Sequence, residues 1–438
     1  MSPLRSRTLP WKEPRAGVFA LAALGAHLAL ALTLRVTVWP EVTTPGYLWS
    51  RGLLLYRDIK FPHTPGTMGT LALAFLLFGV HTWVVRAYAL AGPLVAHCFV
   101  LRHGRSFSLP IRALVSAFFL VTFFVSDGNA VWPTVVLSAL AIPIATALGR
   151  ERFALAGLLI GMAILFKQTT AYLLLLALAV LLARKRFREA AILFLAGSLP
   201  YALAVVAFGL LGAAPEMLRW TIVVPFTILP PVVVFKPGFF TLMMLLAGFV
   251  PTALEAFLER KGEYETSAGW LLVVAAVFAA ICYPRFDMLQ TVASVPPLAI
   301  GTARLLRRSG RWLPAAAFAF VTALTVSRGA VLMGGGWFDG KALFWNEDPA
   351  FNELVTRLRR LPPDTPLHSM LWGNLLPRTG LLPPGRLYVH PWFDWLFPVD
   401  RIGERIEQAA ARPGTVVVGY RGFASGGEIV GPYQFVKR

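Results

Sequence analysis

Three carboxylates stand where a hydroxyl group could lose its proton. Glu41, in Trp39-Pro40-Glu41-Val42, directly follows the first long apolar stretch. Asp58, in Tyr56-Arg57-Asp58, lies further along the same loop, and Asp127, in Ser126-Asp127-Gly128-Asn129, ends the third apolar stretch. A carboxylate partly desolvated at a membrane edge has a raised pKa and can accept a proton from a hydroxyl. Each has a plainer reading too: Glu41 caps a helix or faces water, and Asp127 turns the chain. Cations occupy similar positions. Lys167-Gln168 lies between two apolar stretches, Arg285 and Asp287 sit in Tyr283-Pro284-Arg285-Phe286-Asp287, and Arg86, Arg219 and Lys236 flank others. Such a cation binds phosphate through charge-assisted hydrogen bonds, or anchors a span by snorkelling to head groups. Several of them beside several carboxylates point to a lipid-phosphate site. His63, with Glu41 or Asp58, could hold a divalent ion, and no other cofactor is indicated.

The elements that must position these groups are membrane spans. Hydrophobic residues make up 57% of the 438, charged residues only 14%, against about 25% charge in soluble domains, and the mean hydropathy is +0.65. A polytopic α-helical membrane protein is implied; a soluble enzyme, a fibrous protein and a disordered chain are excluded. A span needs about 20 apolar residues. Candidates cover 17–38, 82–101, 110–126, 130–148, 153–167, 168–183, 190–212, 239–258, 267–283, 288–303 and 313–330, about eleven helices. The first is a retained span, not a removed signal peptide. The apolar stretch 66–79 is short and reads as a membrane-surface helix in the first outer loop, 39–81. A second long outer loop, 213–238, carries an amphipathic interface helix at 215–220.

The formal charge of +19 tests this map. With the N-terminus inside, the inner segments are 1–16, 102–112, 149–153, 184–189, 259–266 and 303–312. They hold 19 of the 41 Lys and Arg but only 6 of the 22 Asp and Glu, as the positive-inside rule requires. Counting 66–79 as a span would put Arg102, Arg105 and Arg112 outside. The charge thus sets topology, and nucleic acid is not needed as a partner. No nucleotide P-loop, GxGxxG, HExxH or GxSxG pattern occurs. Cys98 and Cys282 form no CxxC pair and read as core residues.

The tail is a different material, rich in Pro and Gly. The expected organisation is a membrane domain over 1–331 and a small α/β domain over 332–438 on the outer side. Within the tail, the pattern predicts a helix over 349–361, a strand over 366–371, a helix over 399–411 and a β-run over 415–418.

Several segments together resemble a family. Gly46-Tyr47, Arg51-Gly52, Tyr56-Arg57-Asp58 and Pro62-His63-Thr64-Pro65, followed by Phe78-Gly79 and Arg86, look like the first outer loop of GT-C glycosyltransferases. The branch is that of protein O-mannosyltransferases and the lipid A aminoarabinose transferase. Gly161 with Lys167-Gln168-Thr169, Tyr283-Pro284-Arg285-Phe286-Asp287 before Pro296-Pro297, and Trp372-Gly373 with Gly380-Leu381-Leu382-Pro383 and Arg386-Leu387-Tyr388 are similar to later segments. The resemblance implies a bacterial, multi-pass inner-membrane glycosyltransferase. Its donor would be a polyprenyl-phosphate-linked sugar and its acceptor an envelope glycolipid, glycan or protein, with transfer at the outer face. It also implies a catalytic acid in the first outer loop, with Glu41 at the expected position and Asp58 as the other candidate, and Asp127 matching a second acidic turn. Lys167, Arg285, Arg219 and Arg86 would bind the donor phosphate, with His63, Tyr56, Gln168 and Asp287 as further contacts. Val42 departs from the family's frequent acidic pair, and Gln290 stands where a His is common. The alternative is a multispan lipid or solute transporter or flippase, for which two related halves and midplane ionisable groups would be expected; neither is evident.

Overall fold

A computed structural model describes residues 14–227, 239–259, 266–281, 288–309, 342–344, 349–371, 373–390 and 402–437. The expected span 313–330, Arg285, Asp287, the end of the second outer loop, Trp372 and the start of the tail lie outside the described residues.

The chain is mainly helical. Helices α1 (Pro14–Thr33), α4 (Thr82–His103), α5 (Leu109–Val125), α6 (Pro133–Gly149), α7 (Phe153–Phe166), α8 (Ala171–Ala183) and α9 (Phe187–Leu210) follow the hydropathy peaks. So do α11 (Phe239–Leu258) and α12 (Ala268–Ala280), whereas α13 (Val295–Ser309) overlaps only the second half of the expected span 288–303 and carries Arg304, Arg307 and Arg308. Two described stretches, Thr82–Ser106 and Phe187–Leu210, are each long and apolar enough to cross a bilayer unaided; the other apolar helices are shorter. Large apolar side chains are exposed along these helices, among them Leu21, Leu195, Leu203, Leu210 and Phe257. Such a belt is unstable against water and is what a bilayer covers.

Small residues set the helix packing. Gly157 and Gly161, one turn apart on α7, press on α9: a Cβ at either would lie 2.5 Å from the Leu193 carbonyl oxygen or 2.4 Å from that of Gly197. Close backbone approach of this kind holds helices together where lipid removes the usual hydrophobic drive.

Contacts sort the loops into two ends. At one end Arg186 pairs with Glu151 at 2.6 Å, Arg307 donates to Ser106 Oγ, and Arg304 donates to the Thr266 carbonyl at 2.5 Å. These are the segments the charge map placed inside, so this is the basic end. At the other end the chain uses small parallel β-pairings that hydropathy does not register. The first helix stops at Thr33, and β1 (Val36–Val38) pairs with β3 (Ala130–Val131) on one side and β4 (Ala342–Phe344) on the other. The expected first span to 38 is thus shortened, because β-branched Val36-Thr37-Val38 is taken into a sheet. β2 (Ile59–Lys60) pairs with β6 (Tyr388–Val389), tying the first loop to the tail.

The tail contains α14 (Pro349–Leu358), α15 (Leu375–Thr379), α16 (Ile402–Ala410) and a four-stranded sheet, β5-β7-β9-β8. β5 (Leu367–Ser369) runs parallel to β7 (Val416–Tyr420), whereas β9 (Tyr433–Lys437) runs antiparallel to β7 and to β8 (Glu428–Val430). The expected helices and the 366–371 strand are present with trimmed ends, and the 415–418 run is present as β7, which continues to Tyr420. The β8–β9 hairpin was not anticipated.

Candidate active site

Glu41 is 1% exposed and stands in the first turn of α2 (Pro40–Ser50). Pro40 starts the helix where a missing N–H costs nothing, and an acid in the first turn meets the positive end of the helix dipole. Pro45, four residues on, offers no N–H to the Glu41 carbonyl, which loosens the turn that carries the acid. Gly46 allows α3 (Gly66–Phe78) to pack close: a Cβ there would lie 3.0 Å from Leu71 Cδ2.

The tail contributes residues to this end of the bundle that are absent from the sequence-based candidate list. Burial pushes the Tyr388 phenol well above its ordinary range; the adjacent Thr44 hydroxyl opposes this and the Glu41 carboxylate adds to it. Tyr388 is held by its strand: its N–H donates to the Asp58 carbonyl at 2.8 Å. The fully buried Asn374 donates through Nδ2 to the Val38 carbonyl at 2.9 Å, and the Tyr47 hydroxyl donates to the Leu381 carbonyl at 3.4 Å. His390, also buried, is pulled down to about 3 by desolvation, so its ring is neutral near pH 7.

Asp58 is differently placed. Its Oδ2 accepts from the Leu54 N–H at 2.8 Å, and Arg57 binds both carboxylate oxygens at 3.0 and 3.1 Å. Burial alone would raise this carboxyl, but Arg57 and the Leu54 N–H outweigh it and hold the group below its usual range. Tyr56, in the same turn, is fully buried with φ +70°, a strained conformation for a bulky residue. Its hydroxyl donates to the His63 carbonyl at 2.9 Å, and Lys60 Nζ donates to the Tyr56 carbonyl at 2.9 Å while lying 3.5 Å from Glu216 on α10 (Ala214–Leu218). The loop is a locked unit.

Lys167 and Gln168 meet this loop from α7. Gln168 Nε2 donates to the Pro62 carbonyl at 2.8 Å, and its Oε1 accepts from the Thr64 N–H at 3.4 Å. Gly66 makes the approach possible, since a Cβ there would be 2.4 Å from the Leu165 carbonyl oxygen. Lys167 Nζ donates to Gln290 Oε1 at 2.7 Å. Gln290 therefore serves as the lysine's partner at the position where the family resemblance led one to look for a His. The hydroxyls of Thr64, Thr67 and Thr170 are buried here without hydrogen-bond partners, a polar lining suited to a hydroxylated or phosphorylated ligand.

The other expected residues lie near this end in different surroundings. Asp127 takes the left-handed conformation of a tight turn, φ +61°, and its Oδ1 accepts from Thr37 Oγ1 at 2.7 Å; Asn129 donates to the Arg35 carbonyl at 2.9 Å. The pair fixes the end of α1. Arg86 donates to the Leu32 carbonyl at 3.3 Å, a cation at a helix C-terminus. Arg219 opens a π-helical turn, Arg219–Val223. His63 is half-buried with its ring edge-on to Phe61. Among the described residues no three His, Cys, Asp or Glu side chains converge as a metal cage.

No protein-family model matches the chain, and no curated protein matches it in sequence. Solved structures do. Arabinofuranosyltransferase AftD from Mycobacteria, mutant R1389S, covers 92% of this chain with 36% of its own at 18% identity, but the TM-score of 0.48 is too loose to carry a structural argument. ArnT from Cupriavidus metallidurans, solved bound to undecaprenyl phosphate, covers 93% of this chain with 94% of its own at 13% identity and a TM-score of 0.60. The chain thus has the fold of that membrane protein over nearly its whole length.

Proposed function

We propose that this protein is an integral membrane glycosyltransferase that moves a sugar from a polyprenyl-phosphate donor to a hydroxyl on an envelope glycolipid, glycan or protein. The N-terminus would lie in the cytoplasm and the Glu41 end at the outer face of the cell membrane, with 332–438 as an outer domain. The observation that carries this reading is the buried Glu41 carboxylate beside the Tyr388 phenol and Thr44, within a fold shared with a protein that binds undecaprenyl phosphate.

Glu41 is the general base in this reading. It takes the proton from the acceptor hydroxyl as that oxygen attacks the anomeric carbon from the face opposite the phosphate, inverting the centre. In this reading Lys167 donates to the leaving phosphate, with Arg285, Arg219 and Arg86 as further cations; such electrostatic stabilisation is often worth about 3–4 kcal/mol. Asp58, already bound by Arg57, positions the loop, and Asp127 positions the end of α1. Tyr56, His63, Gln168 and Asp287 remain candidates to contact donor or acceptor.

The experiment is transfer by purified full-length protein, with a polyprenyl-phosphate sugar compared against nucleotide sugars. Turnover of the lipid donor alone, lost in Glu41→Gln and retained in part in Asp58→Asn, is the expected result. Full activity in Glu41→Gln would remove the base assignment, and use of a nucleotide sugar would remove the donor class.

A further inference from the structure

At the basic end, far from Glu41, α1, α4 and α5 enclose a cavity of about 320 Å³. It sits at the small end of ligand pockets, roughly 300–1,000 Å³, a size suited to a head group and not to a whole lipid. Arg102, Arg105 and Arg112 all line it, Ala20 and Cys98 form part of its wall, and Ser116 closes it; no carboxylate occurs among its described lining residues.

The fold holds the cations there. Arg112 Nε donates to the Phe107 carbonyl at 2.7 Å and its Nη2 to the Arg105 carbonyl. Arg307 stacks over the Phe107 ring at 5.9 Å and donates to Ser106 Oγ at 3.2 Å, so the turn is clamped from a fourth helix. The deep end is polar as well: Ser116 Oγ lies 2.8 Å from His97 Nε2, and His97 Nδ1 lies 3.1 Å from His27 Nδ1. Three like charges on one small cavity repel, and an anion between them turns that repulsion into attraction. Val18 and Leu21 of α1 and Leu109 of α5 are exposed nearby, where acyl chains would lie.

We propose that this cavity binds the phosphate head group of an acidic glycerophospholipid from the leaflet at the basic end, with its acyl chains lying along α1. The site is separate from the transfer chemistry and does not depend on it.

Native mass spectrometry of the full-length protein, released from bilayers of equal phosphatidylglycerol and phosphatidylcholine, tests this. The wild type should retain phosphatidylglycerol selectively. Arg102→Gln with Arg105→Gln should cut that retention about tenfold or more, and Ala20→Trp, which fills the cavity without changing charge, should do the same. Equal retention of the two lipids, or an unaffected Ala20→Trp, would overturn the proposal. So would displacement of the phospholipid by equimolar polyprenyl phosphate, which would assign the cavity to a different lipid. A readout that leaves the cavity intact is alkylation of Cys98 in a Cys282→Ser background. Phosphatidylglycerol should slow it and phosphatidylcholine should not; equal rates would count against the site.

Discussion

The two ends of the bundle treat their carboxylates in opposite ways. At the basic end, Glu255 is fully buried and receives two hydrogen bonds from Arg308, at 3.0 and 3.1 Å. Arg186 holds both Glu151 and Glu189, and Arg304 lies 3.6 Å from Glu259. At the other end, Glu41 is equally buried but sits beside a phenol and a hydroxyl. A carboxylate forked by a guanidinium is a structural bolt. One that faces a phenol is suited to proton transfer. Burial alone therefore does not mark an active carboxylate; the chemistry of its neighbours does. Asp58 makes the same point within one loop, since its Arg57 fork gives it the basic-end environment on the site end.

This contrast can be broken by substitution. The largest effect belongs to Glu41→Gln: turnover should fall about 10²- to 10⁴-fold while the thermal midpoint stays near that of the wild type. Glu255→Ala should do the reverse. Leaving Arg308 beside an emptied site costs about 3 kcal/mol, seen as a lower midpoint, with the folded fraction keeping its specific activity. Gly66→Ala forces α3 away from the end of α7 and should cost about 1–3 kcal/mol, with a matching loss of turnover as Gln168 leaves the loop. The smallest effect is that of Asp58→Asn. The wild-type carboxyl is held below its usual range, so its contribution is complete above the unfolded-state pKa, about 4. It is lost as the pH falls through the lower folded-state value. Acid unfolding curves of wild type and variant should therefore diverge above pH 4 and converge in stronger acid.

Much of the architecture was legible in the sequence because a lipid-facing helix must be apolar over most of its length. That constraint marks α1, α4 to α9, α11 and α12 without any knowledge of packing. The site was legible in part. Glu41 stood out by its place after the first apolar stretch, and Lys167-Gln168 by its charge between two others. The β1, β2, β3, β4 and β6 pairings span two or three residues each, too few for a period-2 pattern to register. Those pairings bring the tail against the first loop, so Tyr388, Asn374 and His390 were not among the expected site residues. The β-branched run Val36-Thr37-Val38 was the one local signal that the first span ends early. Sequence also left the base open between Glu41 and Asp58, because the Arg57 fork depends on the turn that the strained Tyr56 makes.

The most direct measurement is release of polyprenyl phosphate from its sugar conjugate by Glu41→Gln and Glu255→Gln proteins, reconstituted side by side in the same vesicles and normalised to folded protein. The account predicts that Glu41→Gln is at least about a hundredfold slower than wild type, while Glu255→Gln turns over at the wild-type rate. Equal rates for wild type and Glu41→Gln would contradict it, as would a folded Glu255→Gln protein that no longer turns over.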